Sequence, residues 1–374
     1  MNSERLTPEE REKERSRSIP YKYSLSALRK FFFETGVRQG WLTAGGGAYA
    51  GGGAYAAGAP VDNNPMILAV SGGGDSMALL WMFRVFYEGR LLVAHFEHGI
   101  RGQESREDAM FVEDMAGRWG VETVIHHEDV PRSLEKGESL ETGARRLRYL
   151  FLERLAKERG ARWVALGHNR NDVAETTLFN LLRGSGVRGL AGIPERKDIF
   201  ACFACFFRPL LACSREFLRD VLRYRGIPWR EDRTNEDDSF TRNFIRNKLI
   251  PLIESRVNER AVEHFAAFAD EMRGYREEEE RIGELLTELL NTDEWDFDRA
   301  VVSSMSLRDR IILIREVGRR LGIPVLPRER CMELALLMAG KRAFEFQCGK
   351  GASVLGCRSK IKWENNKKQE VIAE

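Results

Sequence analysis

No stretch of this 374-residue chain approaches the roughly 18 uninterrupted apolar residues that a membrane-spanning helix needs. The N-terminus, Met1-Asn2-Ser3-Glu4-Arg5, opens on charge and shows no hydrophobic core of a secretory leader, so the expected compartment is cytoplasmic, with no membrane partner. Cysteine is scarce. Six cysteines cannot staple a chain of this length, and they are expected as reduced thiols. An excess of one charge is also lacking, because 59 Lys and Arg stand against 57 Asp and Glu, a net of +2. The total therefore gives little support to a nucleic-acid partner, and any basic footprint has to come from local clustering. Absent too is any Gly-Lys-Ser/Thr sequence, which excludes a Walker A loop, whose lysine reaches the outer phosphates.

What is present begins with Ser71-Gly72-Gly73-Gly74-Asp75-Ser76, set after the apolar run Ile67-Leu68-Ala69-Val70 and before Met77-Ala78-Leu79-Leu80. A short aliphatic strand, a Gly-rich turn and an amphipathic helix bring free backbone N–H groups and a helix N-terminus to one point, where anions bind. Ser71 and Ser76 add hydroxyl donors. Asp75 disfavours a bare phosphate and makes better sense holding a divalent cation beside it. The stretch predicts a nucleotide phosphate site, with Mg2+ at Asp75.

Around that loop the chain changes character several times. Residues 1 to about 24 are polar and without period, while Leu25, Leu28, Phe31, Phe32 and Trp41, with Arg29, Lys30 and Arg38 between, predict a short surface helix. Gly45-Gly46-Gly47-Ala48-Tyr49-Ala50 repeats as Gly51-Gly52-Gly53-Ala54-Tyr55-Ala56, a tandem insert that reads as a flexible linker. From Met66 strand and helix patterns alternate: strands at 66–70, 91–96, 122–126 and 163–166, helices at 76–88, 105–120 and 139–159. This is the α/β pattern of a doubly wound parallel sheet, Rossmann-like, followed by a mainly helical C-terminal domain with a short β end. Ligands in such sheets bind beyond the carboxyl ends of the strands, so residues 71–76, 95–101 and 167–172 are expected to line the site. The expected division is an extension with helix and linker over 1–65, a catalytic domain over 66–255, and a helical and basic region over 256–374. Residues 341–374 carry eight basic against four acidic side chains, which suits a phosphate backbone or, equally, an ordinary solvated surface.

Three apparent motifs count for less. Cys202-x-x-Cys205 with Cys213 has the look of a metal or iron–sulfur set, but Phe200 to Phe207 reads as a buried strand and no second Cys pair completes it. His95-x-x-His98 ends a strand and has no third ligand spaced with it. Gly184-Ser185-Gly186-Val187-Arg188-Gly189 matches G-x-G-x-x-G, yet follows a helix where a dinucleotide fingerprint needs a strand. As a flexible loop, Arg183 and Arg188 included, it suits contact with a nucleotide substrate.

Leu166-Gly167-His168-Asn169-Arg170-Asn171-Asp172-Val173-Ala174-Glu175-Thr176 leaves a strand and starts a helix, with Asp172 and Glu175 one turn apart on one face. Two carboxylates beside a phosphate site hold a metal or a cationic substrate; the plainer role is helix capping by Asp172. The loop at 71–76 resembles the SGGxDS loop of the PP-loop family, the N-type ATP pyrophosphatases. Further pieces resemble, in order, the tRNA(Ile)-lysidine synthetases within it: His95-Phe96-Glu97-His98-Gly99-Ile100-Arg101-Gly102, Glu141 through Tyr149, Gly167 through Thr176, Leu181 through Gly192, Arg208-Pro209-Leu210-Leu211, Glu231-Asp232-Arg233-Thr234-Asn235, and Arg242-Asn243-Phe244-Ile245-Arg246 with Pro251. The resemblance spans about Met66 to Pro251. It departs at Asn169 and Asn171, where the family often shows His and an acidic residue, in the Gly/Ala repeat, and in a C-terminal region that reads as a short form.

The resemblance implies an ATP-dependent ligase acting on the isoleucine tRNA with a CAU anticodon. ATP adenylates the wobble cytosine's carbonyl oxygen, and the amine of free L-lysine displaces AMP to give lysidine. On that reading Ser71, Gly72, Gly73, Gly74, Asp75, Ser76, His95, Arg101, Gly167 and His168 bind ATP, Asp75 places Mg2+, and Asp172 with Glu175 holds the lysine ammonium. Arg145 and Arg148 neutralise phosphates or the anionic transition state, or else are solvated surface arginines. Arg183, Arg188, Arg242 and Arg246 meet the tRNA. A homodimer is compatible, and the sequence leaves oligomeric state open. The rivals are a tRNA thiolation enzyme of the same fold, which would need reactive cysteines, and a non-catalytic nucleotide-dependent RNA-binding module.

Overall fold

The apolar run ahead of the Gly-rich loop becomes a strand flanked on both sides by parallel neighbours. In this computed structural model, which describes residues 20–42, 63–100, 102–199, 204–231, 241–290, 295–323, 325–349 and 351–365, β1 (Met66–Ala69) pairs with β2 (Leu91–Glu97) and β4 (Trp163–Leu166). The tandem Gly/Ala repeat, Arg101, Cys202 and residues 232–240 lie outside the described residues. Strands covered on both faces need apolar side chains at every position, which is why these runs are continuous instead of alternating. β3 (Glu122–His127) and β6 (Ala204–Phe207) continue the sheet in parallel, and β5 (Arg196–Ile199) closes one edge antiparallel to β6. The order is β3-β2-β1-β4-β6-β5, as a doubly wound α/β sheet requires.

Period-two alternation sorts the strand side chains between two cores. Met66, Leu68 and Val70 join one, with helices α1 (Leu25–Gln39), α2 (Gly74–Phe86) and α7 (Arg215–Arg225). Ile67 joins the other, with Leu92, Ala94 and Val164 and with Phe151, Leu152 and Leu155 of α4 (Leu140–Arg159). The other helices as far as residue 256 are α3 (Gln103–Arg118), α5 (Arg170–Leu182), α6 (Val187–Leu190), α8 (Thr241–Phe244) and α9 (Ile250–Arg256).

The helix expected on the surface is instead buried. Leu28, Phe32, Trp41 and Leu42 are inside the first core, and the Phe32 ring lies 4.9 Å from that of Phe83 on α2, edge-on. Large aromatic rings of this kind bury enough area to hold a helix in a core. Ser24 caps its start and Gly40, at φ 76°, ends it in the left-handed turn that glycine adopts without strain.

Two compact units divide the chain, one over residues 1–179 and 192–267, the other over 180–191 and 268–374. This division falls after residue 267 where the sequence led to 255, and residues 180–191 group with the C-terminal part. The second unit contains most of the long helix α10 (Ala261–Leu289), then α11 (Arg299–Ser304), α12 (Leu307–Arg320) and α13 (Arg328–Ala339). Its four-stranded antiparallel sheet runs β7 (Asp296–Asp298), β10 (Lys360–Asn365), β9 (Ala352–Gly356), β8 (Phe344–Gly349). Phe297, Leu313, Leu334, Phe346 and Trp363 fill its core. Among the described residues no helix is long and apolar enough to cross a membrane.

Candidate active site

The chain adds β2 and β3 on one side of β1 and then crosses to β4, so the strand order reverses between β1 and β4. Their carboxyl ends open the crevice where such sheets bind ligands. After β1 the backbone turns at Gly72, whose φ of 91° is one that a side chain would strain. Ser76 Oγ braces the turn, accepting from Ser71 N at 3.1 Å and donating to the Gly73 carbonyl at 2.9 Å. No side chain caps the start of α2, so its first N–H groups are left to an anion. After β4 the chain passes close to that turn. A Cβ on Gly167 would lie 3.3 Å from both Ser76 N and Ser76 Cα.

His95, expected at the nucleotide, is engaged within the fold. It is buried on β2 and its Nδ1 lies 2.8 Å from the Val70 carbonyl, which makes that nitrogen the protonated one. Burial holds its pKa below the usual histidine value. His95 thereby fixes the strand end from which the loop departs.

Asp75, Asp172 and Glu175 come together. α5 starts on a reciprocal cap in which Asn169 Oδ1 accepts from Asp172 N at 3.1 Å and Asp172 Oδ2 accepts from Asn169 N at 2.9 Å. The capping role is thus shared, and the other oxygen of Asp172 stays directed at the site. Glu175, one turn on, is buried. Asp75 is pushed up to about 6, by burial first and by the Asp172 carboxylate second, with Arg215 opposing. Its Oδ1 is sealed from solvent and has no hydrogen-bond partner among the described residues. A divalent cation would relieve both the repulsion and the orphaned oxygen, so the donor set fits Mg2+ beside a phosphate chain.

Arg215 ties the three acids together. Its Nη2 reaches Glu175 Oε1 at 2.9 Å and Asp172 Oδ1 at 3.4 Å, and its Nε lies 3.9 Å from Asp75 Oδ2. Nothing in its local sequence marks it, since it is the first residue of a helix capped by Ser214; only the fold shows what it faces. Asn171 gains a role here as well, its Oδ1 accepting from Arg215 N at 3.0 Å. Arg242 and Arg246, expected at the tRNA, face the same carboxylates: Arg242 Nε is 3.4 Å and Arg246 Nε 4.0 Å from Glu175.

A second group of arginines surrounds Tyr149 and His168. Arg145 lies over the Tyr149 ring at 5.0 Å, Arg148 at 5.9 Å, and buried Arg208 donates to its hydroxyl at 3.4 Å and to the Pro194 carbonyl at 2.9 Å. None of the described ion pairs includes Arg145, Arg148 or Arg208. Burial, then Arg208, Arg148, Arg145 and Arg242, hold His168 well below the usual histidine value, so its imidazole is neutral. Guanidiniums gathered without carboxylates suit a phosphate group. Arg208, like Arg215, carried no role in the sequence reading, although it sits in the Arg-Pro-Leu-Leu motif.

Arg183 and Arg188 do not belong to this unit. They lie in residues 180–191 of the other, where Arg183 is exposed and Arg188 is held below its usual value, chiefly by burial, with Glu280 opposing. In that unit the basic C-terminal stretch is partly neutralised, Lys360 pairing with Asp296 at 2.7 Å and Lys362 with Glu364 at 3.3 Å. Cys205 and Cys213 are buried, and no three His, Cys, Asp or Glu side chains gather as a ready metal cage among the described residues.

Residues 54–253 match the family model of the PP-loop domain. A tRNA(Ile)-lysidine synthase of Thermus thermophilus is 44% identical over 223 residues, 59% of this chain and 41% of its own. One of Symbiobacterium thermophilum is 36% identical over 313 residues, 77% of this chain and 63% of its own. The chain thus spans less than two thirds of the length of either. Among solved structures, a U34-tRNA thiolase of Methanococcus maripaludis is similar with a TM-score of 0.49 and 15% identity, over 66% of this chain and 81% of its own. Because the family match runs through the elements that line the crevice, the chain belongs to the PP-loop family.

Proposed function

We propose that this chain uses ATP to join lysine to the wobble cytidine of an isoleucine tRNA with a CAU anticodon, forming lysidine in the cytoplasm. The observation that carries the reading is the meeting of the loop at 71–76 with Asp172 and Glu175 across the β1–β4 switch point, one side suited to phosphates and the other to an ammonium. The relatives at 44% and 36% identity, named tRNA(Ile)-lysidine synthase, support it.

In the first step the cytosine carbonyl oxygen attacks the α-phosphorus of ATP and pyrophosphate leaves. In the second the lysine amine, freed of its ammonium proton, attacks the ring carbon that bears the adenylated oxygen, the C–O bond breaks so that AMP leaves with that oxygen, and the new C–N nitrogen gives up one proton. Backbone N–H groups at 72–74 and the Ser71 hydroxyl would hold the phosphates, joined by the Ser76 hydroxyl once it turns from the Gly73 carbonyl. Mg2+ at Asp75 would offset charge on them. Arg145, Arg148 and Arg208 would stabilise the charge that develops at phosphorus, acting where they cost no reorganisation. Asp172 and Glu175 would hold the ammonium until it is deprotonated. Gly167 lets the two loops approach, and neutral His168 would contact the nucleotide. Arg183 and Arg188 would be left to meet the tRNA backbone.

The test is incorporation of labelled lysine into unmodified isoleucine tRNA bearing CAU, with methionine tRNA as control. Label in the isoleucine tRNA alone, with AMP released, is the expected result. AMP release without label would turn the reading toward thiolation, and tRNA binding with neither signal toward the non-catalytic module. Asp172→Asn should lower lysine transfer by about 100-fold, the loss of one desolvated charge contact, while ATP binding stays near wild type. Unchanged turnover in that variant would overturn the assignment of Asp172.

A further inference from the structure

Three carboxylates, Asp75, Asp172 and Glu175, face three guanidiniums, Arg215, Arg242 and Arg246, within one compact unit. The set is balanced in charge. An ammonium entering beside Asp172 and Glu175 would find their charge already answered, and most directly by Arg215, which makes the shortest of these contacts at 2.9 Å.

Arg215 differs from the other two in its reach. Its guanidinium is largely buried and spans from Glu175 to Asp75, which lies in the first turn of α2 beside the phosphate cradle. Its backbone is fixed, N–H to Asn171 Oδ1 and helix capped by Ser214, so the side chain swings from a fixed pivot. Its Nε, sealed from solvent, has no hydrogen-bond acceptor among the described residues. A buried charged donor without an acceptor carries a cost that a phosphate oxygen would remove. Guanidinium matches phosphate as well as carboxylate, in paired and charge-assisted hydrogen bonds. Nucleotide phosphates and the acidic pair therefore compete for one side chain.

We infer that Arg215 is a positioning residue that couples the two substrates. Nucleotide phosphates draw its guanidinium away from Asp172 and Glu175, and the pair, left one positive charge short, then accepts the lysine ammonium. Each substrate therefore tightens the other. The inference rests on lysine being the nucleophile of the proposed reaction.

The experiment is equilibrium dialysis of labelled lysine against the full chain, with and without Mg2+ and an ATP analogue bearing a methylene between the α and β phosphorus atoms. In the wild type the analogue should tighten lysine binding by roughly tenfold, a typical coupling between sites. Reciprocity requires that lysine tighten the analogue by the same factor, a check that needs no variant. In Arg215→Ala, lysine alone should bind about as tightly as it does to the wild type with analogue, and the analogue's effect should fall within about twofold. Equal lysine affinity with and without the analogue in a wild-type protein that still labels the tRNA would overturn the coupling and leave the proposed reaction standing. Loss of lysine binding in a folded Arg215→Ala would also overturn it, because Arg215 would then support the pair instead of competing for it. Absence of both lysine binding and tRNA labelling would remove the coupling and the reaction together.

Discussion

His168 shows how much of the site's electrostatics rests on one proton. The ring is half-buried, its Nδ1 is shut off from solvent without a partner, and burial with four arginines keeps it neutral. In the unfolded chain it titrates near the ordinary histidine value of about 6.5. Below that pH the unfolded state binds the proton that the folded state refuses, so stability falls as pH drops through about 6.5 and is regained as it rises. The slope from this one group is at most ~1.4 kcal/mol per pH unit. His168→Gln should flatten the fall of melting temperature across that range, and an unchanged slope would show that the proton is bound elsewhere. The three carboxylates could be read from the chain because each follows a strand end, where a parallel sheet puts its ligands. Arg215 could not, since an arginine after an N-cap serine is common and its partners are 40 or more residues away. Asn171 escaped for the same reason: its partner is 44 residues on.

Among the elements, the first four strands and their three helices lie within about two residues of their expected places, because apolar runs between turn signals are a local property. α1 is the element whose setting differs from the expected one, being buried instead of on the surface. Its spacing announced a helix with an apolar face, but what covers that face is decided by aromatic partners far along the chain: Trp41 lies 5.0 Å from Phe83 and 5.5 Å from Phe207. A helix set before a Gly/Ala repeat looks detachable, and in three dimensions it closes a core. Trp41→Ala should therefore cost about 3–5 kcal/mol, the range for deleting a buried aromatic ring, read as a lower urea midpoint with unchanged slope. A surface helix would lose less than about 0.5 kcal/mol.

Across the whole molecule the thiols separate the two catalytic readings. Burial pushes Cys213 up to about 12 and raises Cys205, while Cys348 is pushed up to about 11 and Cys331 raised in the same way. Exposed Cys357 goes the other way, lowered by hydrogen bonds around Ser359 and Lys360. The thiolate is the reactive form, so among the described cysteines iodoacetamide near neutral pH should label Cys357 first and reach Cys205, Cys213, Cys331 and Cys348 only on unfolding. Mass spectrometry of the native protein checks this, and labelling of Cys213 as fast as Cys357 would return weight to a sulfur-inserting enzyme.

The glycine between the fourth strand and its helix has one more consequence. Where Gly167 passes Ser76, two stretches of main chain meet so closely that a β-carbon would force one of them to give by a few tenths of an ångström. At this point the spacing between the two loops is set by main chain against main chain, much as the gauge of a track is independent of what runs on it. An engineer could replace lining side chains to change the acceptor and still leave the phosphates seated at the same spacing from it.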